Sequence, residues 1–250
     1  VDFLVRAGQR YWQILPLTPT GYGDSPYQSL GACAGNHYLI DLDRLADEGL
    51  LKKEEIQNIP WGSNPARVDF GAMYAHRMNV LRQAFQRFTP DGAYETFVEQ
   101  NRNWLEDYAL FTALKDTLGG KPWLEWPEAL RLRKADALAE KRRELSDEIR
   151  LQYFVQYEFD RQWKALRSYA NAKGVRIIGD VPIYVPLDSA DVWANPELFQ
   201  LDESRHPEQV AGCPPDSFTA DGQLWGNPIY DWKKMAQTHY FWWIQRLTAA

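Results

Sequence analysis

The fold is decided by the segment Gly174-Val175-Arg176-Ile177-Ile178-Gly179-Asp180-Val181-Pro182-Ile183-Tyr184-Val185. β-branched residues dominate this run, and the segment before it carries apolar residues at helical spacing up to Gly174. A helix, a glycine and then a continuous apolar run are typical of α/β proteins, in which such a strand is buried on both faces. We therefore predict a buried strand here, in a parallel sheet.

Two more strands are predicted upstream of this segment. Residues Val1–Ala7 resemble the end of a helix, with Gly8 as its terminating residue before the strand Tyr11–Leu15, and a further strand is predicted at His37–Leu42. Three strands joined by helices, with irregular loops after them, favour a (β/α) barrel. A doubly wound sheet is the alternative, although no Gly-rich phosphate motif follows any strand.

The middle of the chain is predicted to be helical. Apolar residues recur at helical spacing over Gly71–Phe88, Tyr94–Leu118 and Ser146–Lys173. Within this region the segment Trp123–Pro127 is interpreted as a staple between helices rather than a binding site. A last helix is predicted around Met235–Leu247. The chain is thus predicted to be one incomplete barrel domain over 1–250: barrel strands and a loop at 1–43, a helical insertion at 44–173, and a strand, a long loop and a helix at 174–250.

Composition argues against several classes of function. The net charge is −6, and the one dense basic run, Lys141–Arg143, lies among acidic residues, so we expect no nucleic-acid partner. No run approaches the ~20 apolar residues of a membrane span, so we expect no membrane partner. Two distant cysteines and four scattered histidines suggest neither disulfides nor a metal site. A soluble protein of the reducing cytoplasm is predicted.

The segment Gly21–Ser29 predicts an aromatic loop after the strand Tyr11–Leu15. Two glycines and a proline favour a turn, and the loop presents Tyr22 and Tyr27. A tyrosine combines an apolar face with a hydroxyl, which suits a sugar. An ordinary turn with incidental tyrosines is the alternative that the loop alone leaves open.

Three aspartates are candidate ligand contacts. Asp180 is predicted at the carboxyl end of the buried strand, where barrels carry their active sites. It could bind a sugar hydroxyl, take part in catalysis, or only tie down the N–H groups of a neighbouring loop. Asp24 and Asp216 stand beside aromatics in loops, but aspartate is also a common turn residue. From the residues alone, the chemistry remains open.

Seven blocks, in order along the chain, resemble the amylomaltase family of 4-alpha-glucanotransferases, also called disproportionating enzymes. The blocks are Tyr11–Leu17, Gly21–Ser29, Tyr38–Leu42, Gly179–Val185, Asp188–Trp193, Pro214–Asp216 and Gln223–Tyr230. The resemblance implies a (β/α)8 TIM barrel, of which about the first three strands would be present, with a large helical insertion. It implies transfer of α-1,4-glucan segments, drawn from maltodextrin, starch or glycogen, to an acceptor glucan or glucose. The family's reaction retains configuration through a covalent glucosyl-enzyme and requires no cofactor or metal.

The resemblance also implies the residues that contact the glucan. Those carried over by motif are Tyr22, Tyr27, Asp180, Asp216, Phe218, Trp225 and Asn227, and Asp24 is added from its place in the aromatic loop. Ser217 departs from the tyrosine that is frequent in the family. No Arg-x-Asp-His motif, which carries the family's nucleophile, occurs in these residues. The nucleophile and acid/base are therefore expected beyond Ala250, and the chain is predicted to be an inactive fragment; a non-catalytic glucan-binding remnant and a piece of a related α-glucan hydrolase are the alternatives.

Overall fold

The computed structural model describes residues 1–21, 23–64 and 66–249, in which helices are far more abundant than strands. The helices are α1 (Asp2–Arg6), α2 (Leu42–Asp47), α3 (Lys53–Gln57), α4 (Phe70–Arg87), α5 (Gly92–Thr117), α6 (Glu128–Arg131), α7 (Ala135–Glu144), α8 (Ser146–Ala172), α9 (Ala190–Ala194), α10 (Trp232–Gln237) and α11 (Phe241–Ala249). The strands are β1 (Tyr11–Gln13), β2 (Arg176–Ile178), β3 (Val210–Cys213) and β4 (Gln223–Pro228). The three long helices predicted from apolar spacing are confirmed as α4, α5 and α8.

Strands β1 and β2 form a parallel pair, as the α/β prediction requires. Tyr11 pairs with Arg176 and Gln13 with Ile178. Both strands are shorter than predicted, and the expectation of burial on both faces is wrong because the side chain of Ile178 is 47% exposed. The ladder ends before Gly179, so residues 179–184 continue as irregular chain.

The prediction of a strand at His37–Leu42 is wrong. Residues His37–Leu39 form a 3-10 helix and Leu42 begins α2. Asn36 and Asp41 accept hydrogen bonds from backbone N–H groups that follow them, and Arg77 donates to the carbonyl oxygens of His37, Tyr38 and Ile40. These side chains form hydrogen bonds with backbone N–H and C=O groups that a β-strand would use to pair with its neighbour.

Two compact units divide the chain, and neither is continuous in sequence. The first comprises Val1–Gln13, Gly35–Leu105 and Asp147–Ile178. Its core packs apolar side chains of α2, α4 and α8, among them Leu45, Leu81 and Phe154. The half-buried imidazole of His37 beside Arg77 has its pKa lowered to about 4 by partial desolvation, with the arginine charge adding to the effect. This unit contains the parallel pair β1 and β2.

The second unit comprises Ile14–Ala34, Glu106–Ser146 and Gly179–Ala250. An aromatic core holds it together, in which Trp193 contacts the rings of Phe111 and Trp126 with centroids 5.8 and 5.7 Å apart. Trp123 is also fully buried, and its indole N–H donates to the carbonyl oxygen of Leu187. The Trp123–Pro127 segment is therefore a structural staple, as the sequence indicates.

The single helix predicted around Met235–Leu247 is instead two helices. Between α10 and α11, His239 and Tyr240 adopt φ values of +53° and +57°. The left-handed region is unfavourable for residues with a Cβ, so this turn is held by its surroundings rather than by propensity. The consequence is that α11 starts anew at Phe241 and presents its own buried face, which includes Arg246.

Candidate functional site

The aromatic loop in the second unit is closed at its base like a small hairpin. Thr20 and Ser29 form an antiparallel bridge, and the N–H of Gly21 donates to the carbonyl oxygen of Gln28 over 3.0 Å. A Cβ on Gly21 would lie 3.1 Å from that oxygen, which is tighter than ordinary packing. This close approach favours glycine at position 21 and holds together the base of the loop that carries Tyr27.

Tyr27 meets Asp180, although 153 residues separate them in sequence. The Tyr27 hydroxyl donates to the Asp180 carboxylate, with 2.6 Å between Oη and Oδ2. This short contact is a charge-assisted hydrogen bond, which is stronger than a neutral one. It raises the pKa of the Tyr27 hydroxyl, because ionisation would lose the donated proton and set two negative charges side by side. The remaining lone pairs of the Asp180 carboxylate can accept further hydrogen bonds.

The hairpin of β3 and β4 carries Trp225 and Asn227 on β4, and both residues line the same cleft. Gly222, with φ at +73°, makes the turn into β4, and a Cβ there would lie 2.5 Å from the carbonyl oxygen of Cys213. Trp225 is partly exposed and Asn227 is buried, so the strand offers an aromatic face and an amide together.

The aromatic loop, residues 180–184 and the hairpin of β3 and β4 enclose a cleft of about 440 Å³, within the size range of small-molecule sites. The residues that line it are Tyr27, Gln28, Asp180, Val181, Pro182, Ile183, Tyr184, Trp225 and Asn227. Asn227 is buried on β4 and contributes a side-chain amide to this lining. The cleft therefore combines aromatic faces with a carboxylate and an amide, an arrangement that can bind a neutral polyhydroxylated molecule.

Four of the eight predicted contacts come together here: Tyr27, Asp180, Trp225 and Asn227. Asp24, Asp216 and Phe218 are not among the described residues that line the cleft. Tyr22 lies outside the described residues. All eight residues remain predicted glucan contacts. Tyr27, Asp180, Trp225 and Asn227 lie together in the cleft.

Asp216 has a local role that the structure makes explicit. Its carboxylate accepts hydrogen bonds from the backbone N–H groups of Thr219 and Phe218, and these bonds lower its pKa. The Phe218 side chain on the same turn is 91% exposed. Asp24 is half-buried in the aromatic loop, with φ at +56° and its N–H bound to the Gly21 carbonyl oxygen. Both aspartates thus occupy turns, the role that aspartate also favours for reasons of conformation.

Sequence reasoning missed Gln28 and Tyr184 as lining residues. Gln28 stands next to Tyr27 in the aromatic loop, and Tyr184 lies four residues after Asp180, inside what was predicted to be strand. The Tyr184 ring has its centroid 6.3 Å from that of Trp225. A tyrosine near the end of a barrel strand could have drawn attention to this position, because loop aromatics there often contact ligands.

Over residues 1–21, 23–64 and 66–249, no cluster of three or more His, Cys, Asp or Glu is arranged to hold a metal ion. In the same ranges no helix is both long and apolar enough to cross a membrane.

Comparison with known proteins gives concordant matches. The family model described as 4-alpha-glucanotransferase matches residues 1–250. A 4-alpha-glucanotransferase of Thermus thermophilus is 50% identical over 254 residues, covering 99% of this chain and 50% of the relative. A 4-alpha-glucanotransferase of Clostridium butyricum is 46% identical over 252 residues, covering 100% of this chain and 52% of the relative. The chain spans about half the length of the curated relatives it matches.

Solved structures agree with these relatives. The amylomaltase from Streptococcus agalactiae in complex with acarbose matches with a TM-score of 0.94 and 45% identity, over 99% of this chain and 51% of that one. The amylomaltase from Corynebacterium glutamicum matches with a TM-score of 0.74 at 19% identity, over 99% and 35% of the two chains. The second likeness concerns the fold alone.

Proposed function

This chain belongs to the 4-alpha-glucanotransferase family, and from that premise we propose that it binds α-1,4-glucan in the cleft of Tyr27, Asp180, Trp225 and Asn227. The observation that carries the proposal is the contact between Tyr27 and Asp180, which joins two family blocks from distant parts of the sequence in one cleft. The similar Streptococcus agalactiae amylomaltase, solved with acarbose, supports an oligosaccharide as the ligand.

The chemistry of the cleft fits a glucan chain. Glucose units have apolar C–H faces that pack on aromatic rings, and Trp225 and Tyr184 supply such rings. Their hydroxyls both donate and accept: the Asp180 carboxylate can accept from them, and the Asn227 amide can do both. The site is uncharged apart from Asp180 among its lining residues, which suits a neutral ligand.

We propose that the complete enzyme transfers glucan segments by a retaining double displacement. In such a reaction one carboxylate attacks the anomeric carbon and a second protonates the leaving oxygen, then activates the acceptor hydroxyl. The family's Arg-x-Asp-His motif is absent from these 250 residues, where none of the four histidines follows an aspartate. The role proposed for the present residues is therefore to bind and orient the glucan, within a (β/α)8 barrel to which β1 and β2 contribute.

The proposed location is the cytoplasm. Cys33 and Cys213 are both free thiols, and burial raises the pKa of the Cys33 thiol, so that it stays protonated and unreactive. Unpaired cysteines are typical of proteins in reducing compartments.

An assay of transfer tests the division of roles. The 250-residue chain, prepared from a host without its own glucanotransferase, is expected to convert no maltotriose to glucose or to longer maltooligosaccharides. Products would be separated by anion-exchange chromatography, with a complete homologous enzyme as the positive control. A ladder of longer products would show that these residues carry the chemistry, and glucose without longer products would favour a hydrolase.

A further inference from the structure

Residues 180–184 form one wall of the cleft, and they take part in no β-ladder in the described part of the chain. This segment supplies five of the nine lining residues, yet it follows the end of β2 as irregular chain. Among the residues that the structure describes, its backbone receives hydrogen bonds from two side chains and from no main-chain N–H. The geometry of the wall therefore depends on those two side chains, which belong to Tyr230 and Arg246.

Tyr230 supports the wall in two ways. Its hydroxyl donates to the carbonyl oxygen of Ile183 over 3.0 Å. Its ring stacks on that of Tyr184, with centroids 5.6 Å apart and planes 11° from parallel. Tyr230 is fully buried, whereas Ile183, whose carbonyl oxygen it binds, is exposed, so Tyr230 reaches the wall from the protein interior. A bond to the backbone and a stack on the next side chain together fix where the Tyr184 ring faces.

Arg246 supports the same wall from α11. Its Nη2 donates to the carbonyl oxygen of Pro182 over 2.5 Å, and its Nη1 lies 3.5 Å from the Tyr230 hydroxyl oxygen. The guanidinium lies 5.3 Å from the ring centroid of Trp242 and 5.0 Å from that of Trp243. Burying a guanidinium is costly unless it gains good contacts. In the described ranges Arg246 makes no direct ion pair. Its hydrogen bonds go to the Pro182 carbonyl oxygen in the cleft wall and to the Tyr230 hydroxyl oxygen.

We propose that Tyr230 and Arg246 are positioning residues for the glucan cleft: they hold the carbonyl groups of Ile183 and Pro182, so that Asp180 and Tyr184 face the ligand. The inference rests on the proposed function, since it names the residues that shape that same site. Neither residue is among those that line the cleft. Their effect on affinity is therefore indirect and passes through the wall.

The test compares three variants with a matched control. Arg246→Met removes the charge and all donors, Arg246→Lys keeps the charge on a single ammonium group, and Tyr230→Phe removes only the hydroxyl. The control is Arg133→Met, because Arg133 also lies over a buried tryptophan, 4.2 Å from the Trp193 centroid, and pairs with Asp107 rather than with the wall. Maltoheptaose affinity would be measured by calorimetry, alongside the unfolding midpoint of each variant.

We expect Arg246→Met to weaken maltoheptaose binding by about tenfold or more, the scale of one lost hydrogen bond from a charged donor. Tyr230→Phe should weaken it by roughly threefold to tenfold, on the scale of one neutral hydrogen bond. Arg246→Lys should recover part of the loss, and Arg133→Met should bind within about twofold of the unchanged chain even where it lowers the unfolding midpoint. Equal losses in Arg133→Met and Arg246→Met would overturn the inference, and so would unchanged affinity in a folded Arg246→Met. If Arg246→Met fails to fold, unchanged affinity in Tyr230→Phe overturns it.

A second readout separates this inference from the proposed function. With ¹³C-labelled tyrosine, the ring resonance of Tyr184, assigned through Tyr184→Phe, should shift in Arg246→Met and stay in place in Arg133→Met. This result does not require any glucan. If the unchanged chain binds no maltoheptaose, the proposed function fails, and an unmoved Tyr184 resonance in Arg246→Met would by itself refute the positioning role.

Discussion

Replacing Trp193 with alanine is expected to lower the free energy of unfolding by about 4 kcal/mol, the largest stability effect that we predict. The Trp193 side chain is 1% exposed and contacts the rings of Phe111 and Trp126. Its indole N–H donates to the Leu130 carbonyl oxygen over 3.0 Å, and the Arg133 guanidinium lies above its ring. Alanine would leave a large cavity, an unsatisfied carbonyl and an arginine without its aromatic partner.

Urea unfolding followed by circular dichroism would measure this loss, with Phe218→Ala as the control. Phe218 is also aromatic but almost fully exposed, so its removal should change the free energy of unfolding by less than about 0.5 kcal/mol. Trp193→Phe gives an intermediate value if the alanine variant does not fold. A loss below about 1.5 kcal/mol in Trp193→Ala, or equal losses in both alanine variants, would contradict the aromatic core described for the second unit.

Asp180→Ala is expected to weaken maltoheptaose binding on the order of 100-fold, the largest functional effect that we predict. Among the described residues that line the cleft, Asp180 is the only carboxylate, so the substitution removes that carboxylate and also the acceptor that holds Tyr27. Hydrogen bonds to charged groups contribute more than neutral ones, and two or more would be lost together. Asp180→Asn, which keeps the shape and one acceptor oxygen, should lose less.

Asp202→Ala is the matched control for Asp180→Ala. The Asp202 carboxylate accepts hydrogen bonds from the backbone N–H groups of Ser204 and His206, and Asp202 is not among the described residues that line the cleft. We expect the affinity of Asp202→Ala for maltoheptaose to stay within about threefold of the unchanged chain. Calorimetric titration would compare the two variants. Similar losses in both would contradict a direct contact between Asp180 and the glucan.

The elements predicted correctly are those whose cause is local. Helices α4, α5 and α8 follow from apolar spacing, and the parallel pairing of β1 with β2 agrees with the glycine-bounded apolar segments. The segment 37–42 was mispredicted because its carbonyl groups bind Arg77, a residue about 40 positions away. The break at His239 and Tyr240 was missed for a similar reason, since no glycine or proline marks that turn.

The site was predictable only in part. Trp225 and Asn227 were expected as contacts from the family resemblance, within a long irregular loop; the structure instead places both on β4, and both line the cleft. The pairing of Tyr27 with Asp180 depends on how the second unit folds, and sequence contains no distances. The role of Asp216 could not be predicted from sequence, because an aspartate that caps a turn and one that binds a sugar look the same in a loop sequence.

Calorimetric titration of the unchanged chain with maltoheptaose, beside cellohexaose, tests whether the cleft binds α-1,4-glucan. Both ligands are neutral glucans, but the first has α-1,4 and the second β-1,4 linkages, so they present their faces and hydroxyls differently along the chain. We expect saturable binding of maltoheptaose, weakened by Asp180→Ala, and no saturable binding of cellohexaose. Absence of maltoheptaose binding, or equal affinity for the two glucans, would contradict this expectation.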